Sequence, residues 1–183
     1  MPLQSDAELL QAFRVPETRE SAYTQLIRKY QERLYWHIRR LVVGHDDAND
    51  VLQNVLIRVW KGLDGFRSDS QLFTWLYRIA TNECLTFLEQ QKRRLSISLD
   101  QEGSAHLADR VRADQHFDAD KAEWKLQLAI QELPEKQRLV FTLRYYDEMP
   151  YGEMSQVLET SEGALKASYH HAVKKVEDFL LNH

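Results

Sequence analysis

The chain has 183 residues, 43% of them hydrophobic, and a formal net charge of −4, which suits one or two globular domains. Only 6 glycines and 4 prolines occur, so long helices are favoured over a turn-rich β architecture. The sequence also argues against several classes of protein. No apolar run approaches the roughly 18 residues of a membrane helix, and the first residues lack the basic and apolar segments of a signal peptide. A single cysteine, Cys84, excludes an internal disulfide and a multi-thiolate zinc site. We therefore expect a cytoplasmic protein.

The first 94 residues predict a compact bundle of about four helices, because apolar residues recur at three- and four-residue spacing. Capping boxes are indicated at Ser5–Glu8 and at Ser68–Gln71, and Asp46 or Asp47 can cap the third helix. Composition marks 62–70 as a loop. The predicted helices cover about 5–13, 17–43, 46–60 and 70–94.

A linker and a second helical domain follow. Residues 95–120 are acidic, rich in Ser and Asp and poor in large apolar side chains, so we expect a flexible linker that need not pack on either side. Pro134 and Pro150 suit the first turns of helices. A break at 158–161 between two helices matches a helix-turn-helix. The predicted helices cover about 121–132, 134–146, 150–158 and 161–181.

The third predicted helix has two distinct faces. One is apolar and suits the bundle core: Ala48, Val51, Leu52, Val55, Val59 and Trp60. The other places Ile57 among Asp50, Gln53, Asn54 and Lys61, with Arg58 at its border. An apolar centre with polar surroundings is typical of a protein-binding surface. The alternative is a solvated face with one stray isoleucine.

The fourth predicted helix carries a similar second face. Its inward stripe is Phe73, Leu76, Tyr77, Ala80, Cys84 and Leu88, while Trp75, Arg78 and Asn82 lie on another side. An aromatic ring, a cation and an amide can together stack on a base, neutralise a phosphate and bond a base edge. The preceding loop, Phe66, Arg67, Ser68 and Asp69, can wrap around a flipped base. The alternative is that Trp75 belongs partly to the core and the loop is only a cap.

The last helix is the candidate recognition helix. Leu165, Tyr169, Ala172 and Val176 can pack inward. Lys166, Ala167 and His170 then point outward near its N-terminal end, where such helices meet base edges in the major groove. A third set is better placed for phosphates: Ser168, His171, Lys174 and Lys175. The alternative is a helical hairpin with no role in DNA binding.

The sequence does not indicate metal or catalytic chemistry. None of the seven histidines belongs to a spacing typical of metal ligands. Cys84 lies in an apolar stripe and is expected in the core. Glycine-rich phosphate loops and nucleophile elbows are missing from the sequence. We therefore expect no cofactor and no enzymatic activity.

Two blocks of the sequence resemble the extracytoplasmic-function (group IV) sigma factors of bacterial RNA polymerase. Their region two is similar to HDDANDVLQNVLIRVWKGLDGFRSDSQLFTWLYRIATNECLTFLEQQKRR, and their region four is similar to LPEKQRLVFTLRYYDEMPYGEMSQVLETSEGALKASYHHAVKKVEDFL. The blocks occur in the family's order and spacing. The resemblance implies an all-α chain of three parts: region two at 1–94, the linker at 95–120 and region four at 121–183.

The resemblance also implies a function and a role for each face. The chain would bind core RNA polymerase, direct it to promoters and help to melt them. Asp50, Gln53, Asn54, Ile57 and Arg58 would bind the clamp helices of the largest subunit. Phe66, Arg67, Ser68 and Asp69 would hold a flipped minus-ten base, with Trp75, Arg78 and Asn82 beside it. The minus-thirty-five duplex would meet Lys166, Ala167, His170 and His171, and the linker would thread toward the RNA exit channel. An anti-sigma factor is an expected partner.

Some features depart from the family. Ser168, His171 and Val173 stand where arginines are frequent, and Glu159 replaces a frequent turn glycine. A left-handed Glu159 would cost about 1–2 kcal/mol. The net negative charge predicts poor promoter binding by the isolated chain. Two other functions stay open: a dimeric helix-turn-helix regulator with a ligand-sensing or dimerising N-terminal domain, and a small helical enzyme.

Overall fold

The computed structural model describes residues 4–98, Val111 and 121–183, with only the backbone of Ile97 and Ser98. Within these ranges the chain is helical and has no strand, which confirms the all-α prediction. A 3₁₀ turn at Leu63–Gly65 follows the third helix. The helices are α1 (Asp6–Phe13), α2 (Arg19–Val42), α3 (His45–Gly62), α4 (Leu72–Ser98), α5 (Lys121–Gln131), α6 (Glu135–Tyr145), α7 (Tyr151–Leu158) and α8 (Glu162–Asn182).

Helices α1–α4 form an N-terminal bundle around α2. Leu26, Leu34 and Ile38 of α2 are fully buried between the other three helices. The capping box that opens α1 is confirmed, because the Glu8 amide donates to Ser5 Oγ at 3.3 Å and the Ser5 amide donates to Glu8 Oε2 at 2.6 Å. These bonds satisfy amide groups that have no partner inside the helix.

Two predicted caps in the bundle are wrong. Helix α3 begins at His45 with Gly44 as its N-cap, so Asp46 and Asp47 lie inside the first turn. Their charges still favour the positive end of the helix dipole there. Helix α4 begins only at Leu72, and Ser68 sits in the loop with a left-handed φ of 60°. Ser68 therefore turns the chain and does not cap the helix.

The junction after the bundle differs from the sequence-based prediction at two points. Helix α4 continues to Ser98, about one turn beyond the predicted end at 94. Val111 is the one described residue of 99–120, and its side chain is buried against Val43, Leu88 and Leu128. At this residue the linker therefore packs against both domains. The contact removes the apolar surface of the valine side chain from water. The rest of the predicted linker lies outside the described residues.

Helices α5–α8 form a C-terminal domain that contains the predicted helix-turn-helix. Pro134 and Pro150 are the N-caps of α6 and α7, so each helix begins one residue later than predicted. Both prolines have extended ψ values of 146°. Glu159 ends α7 in the left-handed conformation, with φ 51° and ψ 41°. Ser161 then caps α8 by accepting a hydrogen bond from the Ala164 amide at 3.3 Å.

The two halves pack directly on each other. Helix α7 lies against α4, and α6 lies against α2. Leu139, Leu143 and Met154 of the C-terminal domain are buried in the same apolar cluster as the core of the N-terminal bundle. We call this contact between α1–α4 and α5–α8 the closed arrangement. It determines which of the predicted functional faces are open to solvent.

Candidate polymerase and promoter interfaces

The outer face of α3 is open to solvent. Val51, Val55 and Val59 are buried on its inner side, while the side chain of Ile57 on the outer side is 52% exposed. This burial pattern confirms the two predicted faces. The polar residues around Ile57 are also exposed: Asp50, Gln53, Asn54, Arg58 and Lys61. A half-exposed isoleucine in a polar ring can give apolar contact at the centre of a protein interface.

Beside this face lies a cleft of about 470 Å³ between α3 and α4. Arg58 Nε pairs there with Oε1 of Glu83, whose side chain is only 10% exposed. A buried carboxylate needs a charged partner, so the pair fixes the position of the Arg58 guanidinium next to Ile57. Asn54 and Phe87 complete the walls. Sequence reasoning missed Glu83, although an acidic residue adjacent to the core residue Cys84 was a usable signal.

The loop between α3 and α4 separates into one buried and three exposed residues. Arg67, Ser68 and Asp69 are exposed. Phe66 is only 6% exposed, and its ring centroid lies 5.2 Å from that of Trp75. In this structure the Phe66 ring completes the core beneath the loop, and its predicted contact with a base stays a prediction. The exposed side chains of the loop remain available to a base.

Trp75 combines the two roles that the sequence left open. Its ring is partly buried against the bundle core, and a Cβ at Gly62 would approach its Cζ2 atom to 3.2 Å. Glycine at position 62 thus leaves room for the indole. The rest of the ring reaches the surface beside the exposed loop. A tryptophan held in this way offers a rigid stacking face.

Arg78 and Asn82 face the C-terminal domain. Arg78 Nη2 lies 3.4 Å from Oε1 of Glu159, in the turn of the helix-turn-helix. Asn82 lines a cavity of about 470 Å³ whose opposite wall includes Thr160 and Ser168. The residues predicted to follow the single-stranded minus-ten path therefore meet the helix-turn-helix in the closed arrangement.

Helix α8 presents its predicted outer residues to solvent. Leu165, Ala172 and Val176 are buried and Tyr169 is half-buried, as predicted. Ser168 is half-buried on the wall of the interdomain cavity. Lys166 also lies over the Tyr151 ring, 5.6 Å from its centroid. The exposed residues of the predicted duplex-binding face are Lys166, Ala167, His170, His171, Lys174 and Lys175.

Features of metal or thiol chemistry are missing from the described part of the chain. No group of three or more His, Cys, Asp or Glu side chains there could hold a metal ion. Cys84 is fully buried, as predicted, and burial raises the pKa of its thiol. A thiol with a raised pKa is a poor nucleophile. Within the same residues, no helix is both long and apolar enough to cross a membrane.

Comparison with known proteins identifies both halves. The family model for Sigma-70 region 2 matches residues 26–94, and that for Sigma-70 region 4 matches 123–176. The RNA polymerase sigma-H factor of Pseudomonas aeruginosa is 29% identical over 97% of this chain and 94% of its own. The ECF RNA polymerase sigma-E factor of Escherichia coli K12 is 28% identical over 90% of each chain. The chain belongs to the extracytoplasmic-function sigma factors.

Two solved structures share the fold of this sigma factor. The sigma factor RpoE of Bartonella quintana, crystallised with the anti-sigma factor NepR, has a TM-score of 0.69 and 20% identity over 87% of this chain and 97% of its own. CnrH, in complex with the cytosolic domain of CnrY, has a TM-score of 0.67 and 21% identity over 96% of this chain and 97% of its own.

Family membership confirms the function that the resemblance implied. The chain is an alternative sigma factor, a non-catalytic subunit that directs RNA polymerase to promoters. A ligand-sensing regulator and a helical enzyme are therefore no longer needed to explain the sequence. In the nomenclature of sigma factors, the N-terminal bundle contains region two and the C-terminal domain contains region four.

A buried polar cluster between region two and region four was not predicted. The Asp147 carboxylate accepts from the Tyr77 hydroxyl at 2.9 Å and from His37 Nδ1 at 3.1 Å. His37 Nε2 lies 3.0 Å from the Thr81 hydroxyl. Burial, and then the Asp147 charge, raises the pKa of Tyr77, so its hydroxyl stays a donor. A histidine between apolar positions of α2 was the available signal in the sequence.

Proposed function

We propose that this sigma factor docks on core RNA polymerase through the outer face of α3. The observation that carries this assignment is Ile57, half-exposed at the centre of a polar face whose reverse side is a buried valine stripe. Asp50, Gln53 and Asn54 orient the contact around it. The Glu83 carboxylate holds Arg58 at its border. The partner surface is the clamp helices of the largest polymerase subunit.

The same proposal assigns the promoter elements to two further surfaces. Arg67, Ser68 and Asp69 hold a flipped base of the minus-ten element, and Trp75 stacks beside it. Arg78 and Asn82 continue the single-stranded path along α4. The minus-thirty-five duplex contacts α8 through Lys166, Ala167, Ser168, His170, His171 and Lys174. The support is the exposure of the loop and of the outer side of α8.

The docking face is tested by in vitro transcription with purified core polymerase on genomic fragments. Ile57→Asp places a charge at the apolar centre of the contact, so we expect specific transcripts to fall at least about tenfold. The variant's helicity should match the wild type, because Ile57 is not part of the core. Leu181→Asp makes the same change at an exposed leucine near the chain's end and should transcribe normally. Equal transcription by Ile57→Asp and the wild type would contradict the assignment.

Two further parts of the proposal concern the cell. The protein acts in the cytoplasm, where RNA polymerase acts, and cell fractionation together with polymerase tests this. An anti-sigma factor holds the protein inactive; the support is that the similar RpoE was crystallised with the anti-sigma factor NepR and that CnrH was solved in complex with the cytosolic domain of CnrY. Transcription of the target genes that stays unchanged after every neighbouring candidate gene is deleted would contradict this regulation.

A further inference from the structure

Helix α3 carries opposite charges at its two ends on the side that faces solvent. Asp46 and Asp50 are exposed near its beginning, and Arg58 and Lys61 are exposed near its end. Ile57 lies between them, and the axial rise of an α-helix places Asp50 and Arg58 about 12 Å apart along the axis. A partner that binds this side in one register therefore needs cations opposite the acidic end and a carboxylate opposite the basic end.

The dipole of α3 explains only part of this pattern. Acidic residues in the first turn and basic residues in the last turn stabilise helices in general. Asp46 and Lys61 occupy such positions. Arg58 lies before the last turn, and it pairs with a carboxylate of another helix, Glu83 of α4. The placement of Arg58 therefore needs an explanation beyond the stability of α3.

Glu83 holds one side of the Arg58 guanidinium. The contact joins Arg58 Nε to Oε1 of Glu83, whose side chain is 10% exposed, whereas the side chain of Arg58 is 64% exposed. An arginine has five N–H groups in one rigid plane, so a bond at Nε fixes the orientation of that plane. The exposed side chain can still offer the edge formed by Nη1 and Nη2. Such an edge matches the two oxygens of a carboxylate.

The cleft between α3 and α4 has room for an acidic side chain at this edge. Its volume of about 470 Å³ lies in the range of pockets that bind small ligands. Lys61 adds a second cation to its walls, and Val51 and Phe87 supply apolar surface for methylene groups. Ile57 also lines the cleft, which is therefore continuous with the outer face of α3. The side chain that enters the cleft should belong to the protein that covers Ile57.

We propose that Arg58 and Lys61 bind a carboxylate side chain of the polymerase clamp helices and that Glu83 positions Arg58 for this contact. The proposal rests on the docking face assigned under the proposed function and adds the chemistry of its partner. Glu83 is a positioning residue, because its side chain is largely buried and acts through Arg58. A guanidinium that is fixed beforehand loses less rotamer freedom on binding. The ion pair across the interface also sets the register of α3 on polymerase.

The first experiment measures the affinity of the full-length chain for core polymerase without DNA, by fluorescence competition at fixed salt. Arg58→Glu and Lys61→Glu should each weaken binding at least about tenfold, because like charges then face each other across the interface. Lys61 is exposed and pairs with no buried carboxylate among the described contacts, so its variant tests the contact even if Arg58→Glu folds poorly.

The matched control changes an arginine outside the cleft. Arg93 of α4 is exposed and pairs with Glu89 at 2.6 Å, and neither residue lines the cleft. Arg93→Glu makes the same charge change as Arg58→Glu and should bind core polymerase like the parent. Parent-like binding by both Arg58→Glu and Lys61→Glu would overturn the proposal, as would an equal loss in Arg93→Glu.

The role of Glu83 is tested by a double-mutant cycle in the same assay. Glu83→Gln keeps the size of the side chain but removes the charge that holds Arg58, so binding should weaken at least about threefold. In the Arg58→Ala background the same substitution should have no further effect, because a positioning residue acts only through its partner. An equal loss in both backgrounds would show a merely structural role. Tighter binding by Glu83→Gln would show that Glu83 competes with polymerase for Arg58, and either result would overturn the assignment.

The second experiment finds the carboxylate by charge reversal on polymerase. Each Asp and Glu of the clamp helices is replaced in turn by Lys in the core enzyme. One of these enzymes should bind the parent chain weakly and should bind Arg58→Glu or Lys61→Glu at least about tenfold more tightly than the unchanged core enzyme does. If no position reverses the preference in this way, the contact is absent and the proposal fails.

Ile57→Asp in the same binding assay separates this proposal from the proposed function. If Ile57→Asp binds core polymerase as tightly as the parent, the docking face itself is wrong. If Ile57→Asp binds weakly while Arg58→Glu and Lys61→Glu bind like the parent, the docking face is correct and only the contact with a carboxylate is contradicted.

Discussion

Glu159 has a strained backbone conformation at the turn between α7 and α8. It ends α7 in the left-handed region, where a side chain with a Cβ is strained. Its carboxylate nevertheless reaches Arg78 across the domain contact. Both side chains are more than half exposed, so the ion pair contributes little to stability. The strain predicted from the sequence is therefore present, and the pair does not offset it.

We expect Glu159→Gly to stabilise the protein. Relief of the left-handed strain should raise the free energy of unfolding by about 0.5–1 kcal/mol, after allowance for the greater freedom of glycine in the unfolded chain. Chemical denaturation followed by circular dichroism measures the change. Glu159→Ala removes the same ion pair but keeps the Cβ, so it should bring no gain. Equal stability of the two variants would show that strain is not the cause.

In the loop after α3, the side chain of Phe66 packs in the core, although its residue type also suits base stacking. Phe66 has the residue type that a base-stacking site needs, but its ring packs inward against Trp75. Aromatic rings bury more apolar surface than most other side chains, so the core gains stability from this placement. The function proposed for the loop therefore depends on Arg67, Ser68 and Asp69, with Phe66 supporting them from below.

At the scale of the element, α1 depends on its capping box. The helix has only 8 residues, too few to be stable alone, and it packs on α2 through Leu9 and Phe13. Ser5 and Glu8 satisfy amides at its exposed end. The bond from the Ser5 backbone, and then the one from its side chain, lowers the pKa of Glu8 below 4.5.

We expect Ser5→Ala to lower the free energy of unfolding by about 1 kcal/mol at neutral pH. Since the pKa of Glu8 is lowered in the folded state, the contribution of its carboxylate is complete above pH 4.5 and is lost as the pH falls below that value. The bond from the backbone amide of residue 5 to Glu8 persists in Ser5→Ala, so only the part that comes from the Ser5 hydroxyl separates the two proteins, and their difference should shrink slightly at pH values below 4.5. Denaturation at several pH values measures it. Ser21→Ala, at an exposed site inside α2, should leave stability nearly unchanged.

Helices α3 and α4 show that an element can have a buried and a functional face at once. The valines of α3 are buried, and Ile57 points away from them. Helix α4 buries Leu76, Tyr77 and Cys84, while Arg78 lies on the side turned toward region four. The 3.6-residue period of a helix separates such faces, which is why both could be predicted from residue spacing.

At the scale of the whole molecule, we expect both the closed arrangement and the negative charge to lower the affinity of the isolated chain for DNA. The net charge of −4 weakens the attraction of the isolated chain for phosphates. The ion pair with Glu159 also occupies Arg78, a cation that we propose for the minus-ten path. We therefore expect that promoter binding by this sigma factor depends on the DNA contacts that polymerase supplies.

We expect the isolated protein to bind promoter fragments weakly and the complex with core polymerase to bind them specifically. Gel-shift titrations at fixed salt, with and without core polymerase, measure the difference. The complex should bind a target promoter at least about a thousandfold more tightly than the free chain does, at the lower end of the range that separates specific from non-specific binding. Tight and sequence-specific retardation by the free protein would contradict the charge argument.

Residue spacing alone determined the helices, their buried stripes and the exposed position of Ile57, because these depend on a period of a few residues. Cap positions were wrong by two or three residues at α3 and α4, where several polar residues compete for one helix end. Only the tertiary structure decided the burial of Phe66, the pairing of Arg58 with Glu83 and the packing of Val111. It also joined His37 to Asp147, which are 110 residues apart in sequence. No short-range pattern encodes such pairs, because they form only when whole helices pack and leave buried polar groups to satisfy one another.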